Sequence, residues 1–236
     1  MGECRDRASL AVLMTIALIP ARGGSKRIKN KNIKIFKGRP LISYVIECAF
    51  KSSLFDEIYV STDSERIKDI ALDCGAKVPS FRPPHLSDDF ATTMDVICYE
   101  IENLNLKNDD IICCIYPTAI LLDAKFLKLG LEKLKENNYC FSACEFESNP
   151  FRGFLFKDNE LSMLFNNHLN TRSQDLENVY FDAGQFYYGY VKTFLSRKPI
   201  FSEDSNIVLI PFANTIDLNT PLDWERAKIK YELCMH

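Results

Sequence analysis

The residues best suited to chemistry sit together near the start of the chain, in Ile19-Pro20-Ala21-Arg22-Gly23-Gly24-Ser25-Lys26-Arg27-Ile28-Lys29-Asn30-Lys31-Asn32. Gly23 and Gly24 let the backbone turn tightly, with N–H groups free to face an anion. Arg22, Lys26 and Lys31 carry positive charge to the same point. Between Arg22 and Arg39 there are eight basic residues and no acidic one. This combination reads as a cradle for a polyphosphate. It is neither a Walker A loop, which needs Gly-Lys-Ser/Thr, nor a GxGxxG turn. A solvated basic face would scatter acids among its bases. A nucleic-acid patch would interleave aromatics, and Phe36 is the only one in the stretch.

Other candidates are dispersed. Asp63 follows Tyr59-Val60-Ser61-Thr62 at the end of an expected strand, and reads either as a functional carboxylate or as a helix cap. Asp182 and Gln185 flank Gly184 ahead of a strand and suit either hydroxyl recognition or a simple turn. Arg152 and Arg172 lie on a polar, irregular stretch, as cations for an acidic ligand or as plain surface arginines. His85, His168 and His236 have no metal-ligand spacing, and no local Ser-His-Asp or Cys-His arrangement is suggested. Asp88-Asp89 and Asp109-Asp110 read most simply as loop or cap charges.

The elements that must position these groups belong to a chain of 236 residues, 47% hydrophobic and 26% charged. That composition excludes disorder, collagen and coiled coil. Without the eight-base stretch, 21 basic residues face 32 acidic ones, so a concentrated positive segment sits on an acidic body. The overall charge of −3 argues against a general nucleic-acid binder. Nine cysteines without a CxxC pair point to reduced core thiols, no cysteine metal site and a cytoplasmic setting. No run reaches the roughly 18–20 apolar residues needed to span a bilayer. Arg5, Arg7 and the apolar run Leu10–Ile19 superficially resemble a signal peptide, but cleavage after Ala21 would remove the strand feeding the basic loop. Met14 is the expected natural start, with residues 1–13 a disordered extension.

Thr15–Ile19 is a short buried strand closed by Pro20. Pro40 opens a helix over Leu41–Lys51. Glu57–Ser61 is a second strand, and Thr62 with Glu65 forms a capping box for a helix stopping at Gly75. Thr92 or Thr93 caps a helix with Met94, Ile97, Ile101 and Leu104 on one face. Ile111–Tyr116 is continuously apolar, as a central parallel strand should be. Asp123 caps a helix to about Asn137, and Tyr139–Phe146 is a strand. Alternation of strand and helix predicts a parallel sheet with helices on both faces. The rhythm breaks from Pro150 to Asn178. Strand-like pieces at Gly153–Phe156 and Leu161–Phe165 flank Asp158 and Asn159, followed by a long polar stretch suited to a lid, binding loop or subunit arm. Phe186–Tyr190 and Ile207–Ile210 return as strands, and Thr220, Pro221 and Asp223 start a C-terminal helix.

The pattern Arg22-x-x-Ser25-Lys26-x-x-x-x-Lys31-Asn32 after Ile19-Pro20-Ala21 resembles the signature of the cytidylyltransferases that activate sialic-type sugars. Similarity recurs at Phe81-Arg82-Pro83 with Leu86 and Asp88, at Asp95 behind Thr92 and Thr93, and at Tyr116-Pro117-Thr118, where the sialic acid branch has Gln-Pro-Thr. Tyr116, Pro150-Phe151-Arg152 and Tyr180-Phe181-Asp182-Ala183-Gly184-Gln185-Phe186-Tyr187 look most like the pseudaminic acid branch. The resemblance implies an α/β, three-layer αβα Rossmann-like nucleotidyltransferase with a mostly parallel sheet. It implies one domain over residues 14–236, with an inserted irregular or β arm at about 150–182 used for a homodimer contact. Arg22, Gly23, Gly24, Ser25, Lys26, Lys31, Asn32, Arg82, Thr92 and Thr93 would bind CTP. Tyr116, Thr118, Arg152, Arg172, Asp182 and Gln185 would face a nine-carbon 2-keto sugar acid. Arg22, Lys31 and Asp217 would be catalytic, with Mg²⁺ held at Asp217 and at Asn219, where the family has a second aspartate. The implied products are CMP-pseudaminic acid and pyrophosphate. N-acetylneuraminic, legionaminic or 3-deoxy-octulosonic acid are alternative acceptors, and a catalytically inactive nucleotide-binding protein is the alternative from another class.

Overall fold

A computed structural model describes residues 13–134 and 137–234. The expected extension therefore lies outside the described residues except for Leu13, as does His236. The element order is β1 (Thr15–Pro20), β2 (Ile35–Phe36), β3 (Arg39–Pro40), α1 (Leu41–Ser52), β4 (Glu57–Ser61), α2 (Glu65–Asp73), α3 (Thr93–Asn103) and β5 (Ile111–Ile115). It continues with α4 (Ala124–Leu134), β6 (Tyr139–Glu145), β7 (Phe154–Lys157), β8 (Glu160–Met163), β9 (Tyr180–Tyr190), α5 (Val191–Leu195), β10 (Ser205–Leu209) and α6 (Pro221–Cys234).

Six strands form the central sheet in the order β10-β6-β9-β5-β1-β4. β1 pairs in parallel with β4 and β5, and β10 in parallel with β6. β9 runs against both its neighbours. The sheet is thus mostly parallel, with one reversed strand in its interior that the strand–helix alternation did not foresee.

Alternation along each strand divides the side chains between two cores. On one face Ala17, Ile19, Cys113, Ile115, Phe186 and Tyr188 pack under α1, α2 and α4. On the other Leu18, Ile112, Cys114, Phe141 and Tyr187 pack under α3 and α5. This is the three-layer arrangement that a sheet buried on both faces requires. A third cluster joins Ile28 and Phe36 to Leu41 and Tyr44 of α1 and Trp224 of α6, so the end of the basic loop is anchored in apolar packing. Phe36 meets Tyr44 and Trp224 edge-on, each at 5.6 Å between ring centroids.

Local signals hold at most element ends. Thr92 caps α3 through a reciprocal pair with Asp95, and Thr220 does the same for α6 with Asp223. Gly75 takes a φ of +87° just beyond α2, as a helix-terminating glycine should. The Thr62–Glu65 capping box does not form. Ser64 precedes α2, and the Thr62 hydroxyl accepts from the Ser64 N–H at 3.2 Å instead. β7 and β8 make a hairpin whose turn residues Asp158 and Asn159 both have positive φ, 54° and 65°. That turn matches the twist of the strands it joins. The long polar stretch beyond it holds 3₁₀ turns at Asn166–His168 and Ser173–Asp175.

Eight described cysteines are free thiols. Burial pushes Cys48 and Cys140 up to about 12 and drives Cys113 upward as well. Such thiols are packing groups, not nucleophiles. Among the described residues no helix is long and apolar enough to cross a membrane.

Candidate active site

The basic loop leaves β1 at the edge of the sheet where the parallel strands end, the usual ligand edge of open α/β sheets. Its backbone is fixed from three sides. Ala21 N–H donates to Ser61 O at 2.8 Å, Gly23 N–H to Asp63 Oδ1 at 2.7 Å, and Asn32 Nδ2 to Arg22 O at 3.0 Å. Asp63, which the sequence left between two roles, is therefore a brace for the loop. The Gly23 N–H is taken by that carboxylate and is not free for a ligand, contrary to expectation. Neither Gly23 nor Gly24 has a positive φ. What Gly23 supplies is close approach, since a Cβ there would sit 3.0 Å from Ser64 Cβ.

The side chains converge where the backbone does not. Arg22, Ser25, Lys26, Lys31 and Asn32 line a cavity of about 450 Å³ at this edge, and Arg27 joins them. Arg82 enters from beyond β4, placed by its N–H on Thr62 O at 2.8 Å. It is only 5% exposed, which is unusual for an arginine. Burial pushes its pKa down, partly offset by Asp63 and Glu100, and its guanidinium donates through Nε to Ser87 Oγ at 3.3 Å. A buried guanidinium in a cavity wall, with no ion pair to a carboxylate among the described residues, is a strong receptor for an anion. Thr92 and Thr93 line the wall from the start of α3, and Tyr116 and Thr118 from the turn after β5.

Asp88 and Asp89 are more than loop charges. Asp89 pairs with Arg22 at 2.8 Å and with Lys26, and Arg22 also donates to Asp88 O. These contacts hold the Asp89 carboxyl below its ordinary range, the hydrogen bond from Lys26 contributing most. Their partners are far apart in the chain, so nothing local in the sequence marked them.

Lys31 ties the cavity to the C-terminal segment. Its Nζ donates to Leu218 O at 2.9 Å, and burial lowers its pKa while Asp217 acts in the opposite direction. Asp217 is exposed, and one of its carboxylate oxygens accepts from Asn219 Nδ2. Among the described residues no group of three or more His, Cys, Asp or Glu forms a protein-only metal cage. Asp217 and Asn219 do not line the cavity; they flank Leu218, whose carbonyl holds Lys31, and their oxygens are hard donors of the kind that suits a cation keeping most of its water.

The remaining expected site residues are not brought to the cavity wall. Arg152 donates to Thr171 O at 3.0 Å, and Arg172 pairs with Asp175 at 2.7 Å, both within the segment between β6 and β9. Gln185 is buried, with Nε2 on Asn214 O at 2.5 Å and Oε1 without a partner among the described residues. Asp182 and Gln185 lie inside β9 rather than ahead of a strand. The eight bases are also divided. Lys37 pairs with Glu232 and Arg39 with Glu47, both away from the cavity. Lys29 and Lys34 lie over a separate surface groove with Arg66.

A pseudaminic acid cytidylyltransferase of Campylobacter jejuni is 43% identical over 226 residues, 94% of this chain and 97% of that protein. An N-acylneuraminate cytidylyltransferase of Danio rerio is 32% identical over 228 residues, 90% of this chain and 49% of that protein. Among solved structures, a CMP:2-keto-3-deoxy-manno-octonic acid synthetase complexed with CTP aligns with a TM-score of 0.69 at 15% identity. It covers 93% of this chain and 99% of its own, and this likeness speaks to the fold. The sequence model of the cytidylyltransferases matches residues 16–235, and the chain belongs to that family of CTP-using nucleotidyltransferases.

Proposed function

We propose that the protein transfers CMP from CTP to pseudaminic acid, giving CMP-pseudaminic acid and pyrophosphate. The observation that carries the reaction class is the convergence of Arg22, Lys26, Lys31 and buried Arg82 on one cavity at the ligand edge of the sheet. The acceptor identity is supported by the 43% identity to the Campylobacter jejuni enzyme and by Tyr116 in the cavity wall.

In the reaction a sugar hydroxyl oxygen forms a bond to the α-phosphorus of CTP. The bond from that phosphorus to the bridging oxygen of pyrophosphate breaks, and the hydroxyl proton is released. Charge grows on the transferring and leaving oxygens, so catalysis rests on positioning and on cations. Arg22 and Lys26 exchange Asp89 for phosphate oxygens. Arg82 supplies a fixed charge that needs no reorganisation, and Lys31 bridges the cavity to the Asp217 segment. Mg²⁺ held by Asp217 and Asn219 would screen the charge on the phosphates and orient them. The acceptor carboxylate calls for a further cation, and Arg152 and Arg172 on the arm remain the proposed sources.

The arm supports a homodimer. Phe154, Leu155, Phe156, Leu161 and Leu164 are all more than half exposed, an apolar surface that a second copy would cover. Sedimentation at micromolar concentration is expected to give a dimer, and a monomer would remove this part of the proposal. Free, mostly buried thiols support a reducing, cytoplasmic setting.

The decisive experiment incubates the protein with CTP, Mg²⁺ and a panel of nonulosonic acids and follows pyrophosphate release. Release with pseudaminic acid is expected. Release only with N-acetylneuraminic, legionaminic or 3-deoxy-octulosonic acid would reassign the acceptor. No release with any of them would mean a nucleotide-binding protein without the transferase activity.

A further inference from the structure

One row of polar side chains runs from the nucleotide cavity to the base of the arm. Thr93 Oγ1 and Tyr116 OH are 2.8 Å apart, and both residues line the cavity. The Tyr116 ring meets the Tyr187 ring at 5.3 Å between centroids, tilted by 54°. Tyr187 OH donates to Asp182 Oδ2 at 2.5 Å. Tyr187 is 4% exposed, while Asp182 is exposed.

The last contact should not exist in a regular strand. Residues 182 and 187 differ by an odd number, so alternation would send them to opposite faces. The β6–β9 register explains how they meet. Tyr187 sits opposite Phe141, and Asp182 opposite Ala143, with an irregularity between them. Phe141 and Ala143 belong to the same face of β6, so Asp182 and Tyr187 share that face too. β9 spends three extra residues to achieve this. Gly184 takes a φ of +60°, its N–H donates to Asp182 Oδ1 at 2.9 Å, and Ser142 Oγ accepts from the N–H groups of Gln185 and Phe186. Bulges of this kind beside active sites re-aim a side chain.

We propose that Tyr187 is a positioning residue for the acceptor: clamped by Asp182 through the β9 bulge, it sets the Tyr116 ring and the acceptor-side wall of the cavity. The proposal rests on the transferase reading above and deepens it. A phenol with no other purpose than packing would be cheaper as phenylalanine, since a buried hydroxyl must be given a partner. Here the partner is a carboxylate brought back by a dedicated distortion of the strand.

The test is steady-state pyrophosphate release with each substrate varied in turn, using the acid that the wild-type protein turns over. Tyr187→Phe and Asp182→Ala are each expected to raise the acceptor KM by about tenfold, the loss of one charge-assisted hydrogen bond, with the CTP KM within about twofold of wild type. The double variant should be no worse than either single one, because both break the same contact. Asp182→Asn keeps one oxygen for the Gly184 N–H and an amide that can donate to the Tyr187 hydroxyl oxygen, so its acceptor KM should rise clearly less than that of Asp182→Ala. An unchanged acceptor KM in Tyr187→Phe, additive losses in the double variant, or equal rises in both KM values would overturn the proposal. Should Tyr187→Phe fail to fold, the two Asp182 variants at an exposed position decide the matter. Absence of turnover by the wild-type protein with every acid is the failure of the transferase reading itself, seen before any variant is compared.

Discussion

Arg22→Ala is expected to lower kcat/KM for CTP by ~10²-fold or more, the typical cost of removing one charged contact to a developing oxyanion. The fold should survive. The Arg22 backbone carbonyl is held by Asn32 and the neighbouring N–H groups by Ser61 and Asp63, none of which needs the guanidinium. The side chain is about one-third exposed and its partner Asp89 is also at the surface, so the lost ion pair costs ~1 kcal/mol or less. A thermal unfolding curve close to wild type alongside the large kinetic loss is the expected signature. Arg22→Lys should recover only part of the rate, because a single ammonium cannot replace the two-nitrogen fork that now engages Asp88 O and Asp89. Near-wild-type pyrophosphate release by Arg22→Ala would mean that the triphosphate lies elsewhere.

The second large effect is expected at Asp217. Asp217→Ala should lower the rate in Mg²⁺ by ~10²-fold or more, since the proposed site loses its only carboxylate. Binding of CTP in EDTA should behave in the opposite way. The carboxylate favours the charged form of Lys31 but repels phosphate oxygens, and Lys31 keeps its bond to Leu218 O when Asp217 is gone. Calorimetry in EDTA should therefore show CTP bound at least as tightly by the variant as by wild type. A parallel loss of metal-free binding and of rate would assign Asp217 to loop structure rather than to the metal. Asn219, already engaged with Asp217 and with Asp223 through its N–H, should matter less.

How much of this was legible in the sequence depended on how local the cause was. β4 and β5 are short apolar runs bounded by turn residues, and their limits follow from composition alone. The Thr220–Asp223 cap and the Asp158-Asn159 turn are read from neighbours a few residues apart. Most of the cavity wall was legible because it comes from one contiguous loop and from short motifs around Arg82 and Tyr116. The direction of β9 was not, since alternation marks a strand but carries no arrow. Nor was the pairing of Asp89 with Arg22, across more than sixty residues, or the brace from Asp63 that takes the Gly23 N–H. Tyr187 was hidden for a different reason. A tyrosine within an apolar strand reads as core, and only the three-residue bulge shows that its hydroxyl has an assigned partner.

The reversed direction of β9 has a consequence for how the family can diversify. The chain leaves the sheet at Glu145 and re-enters at Tyr180, and these two residues already pair with each other. Everything between them is a closed excursion rooted at one point on the catalytic rim. Because its two ends are joined by the sheet itself, lengthening or exchanging the excursion costs only the slow logarithmic growth of loop-closure entropy and leaves the strand order untouched. The length and sequence of this segment can therefore change while the strands that carry the cavity stay as they are.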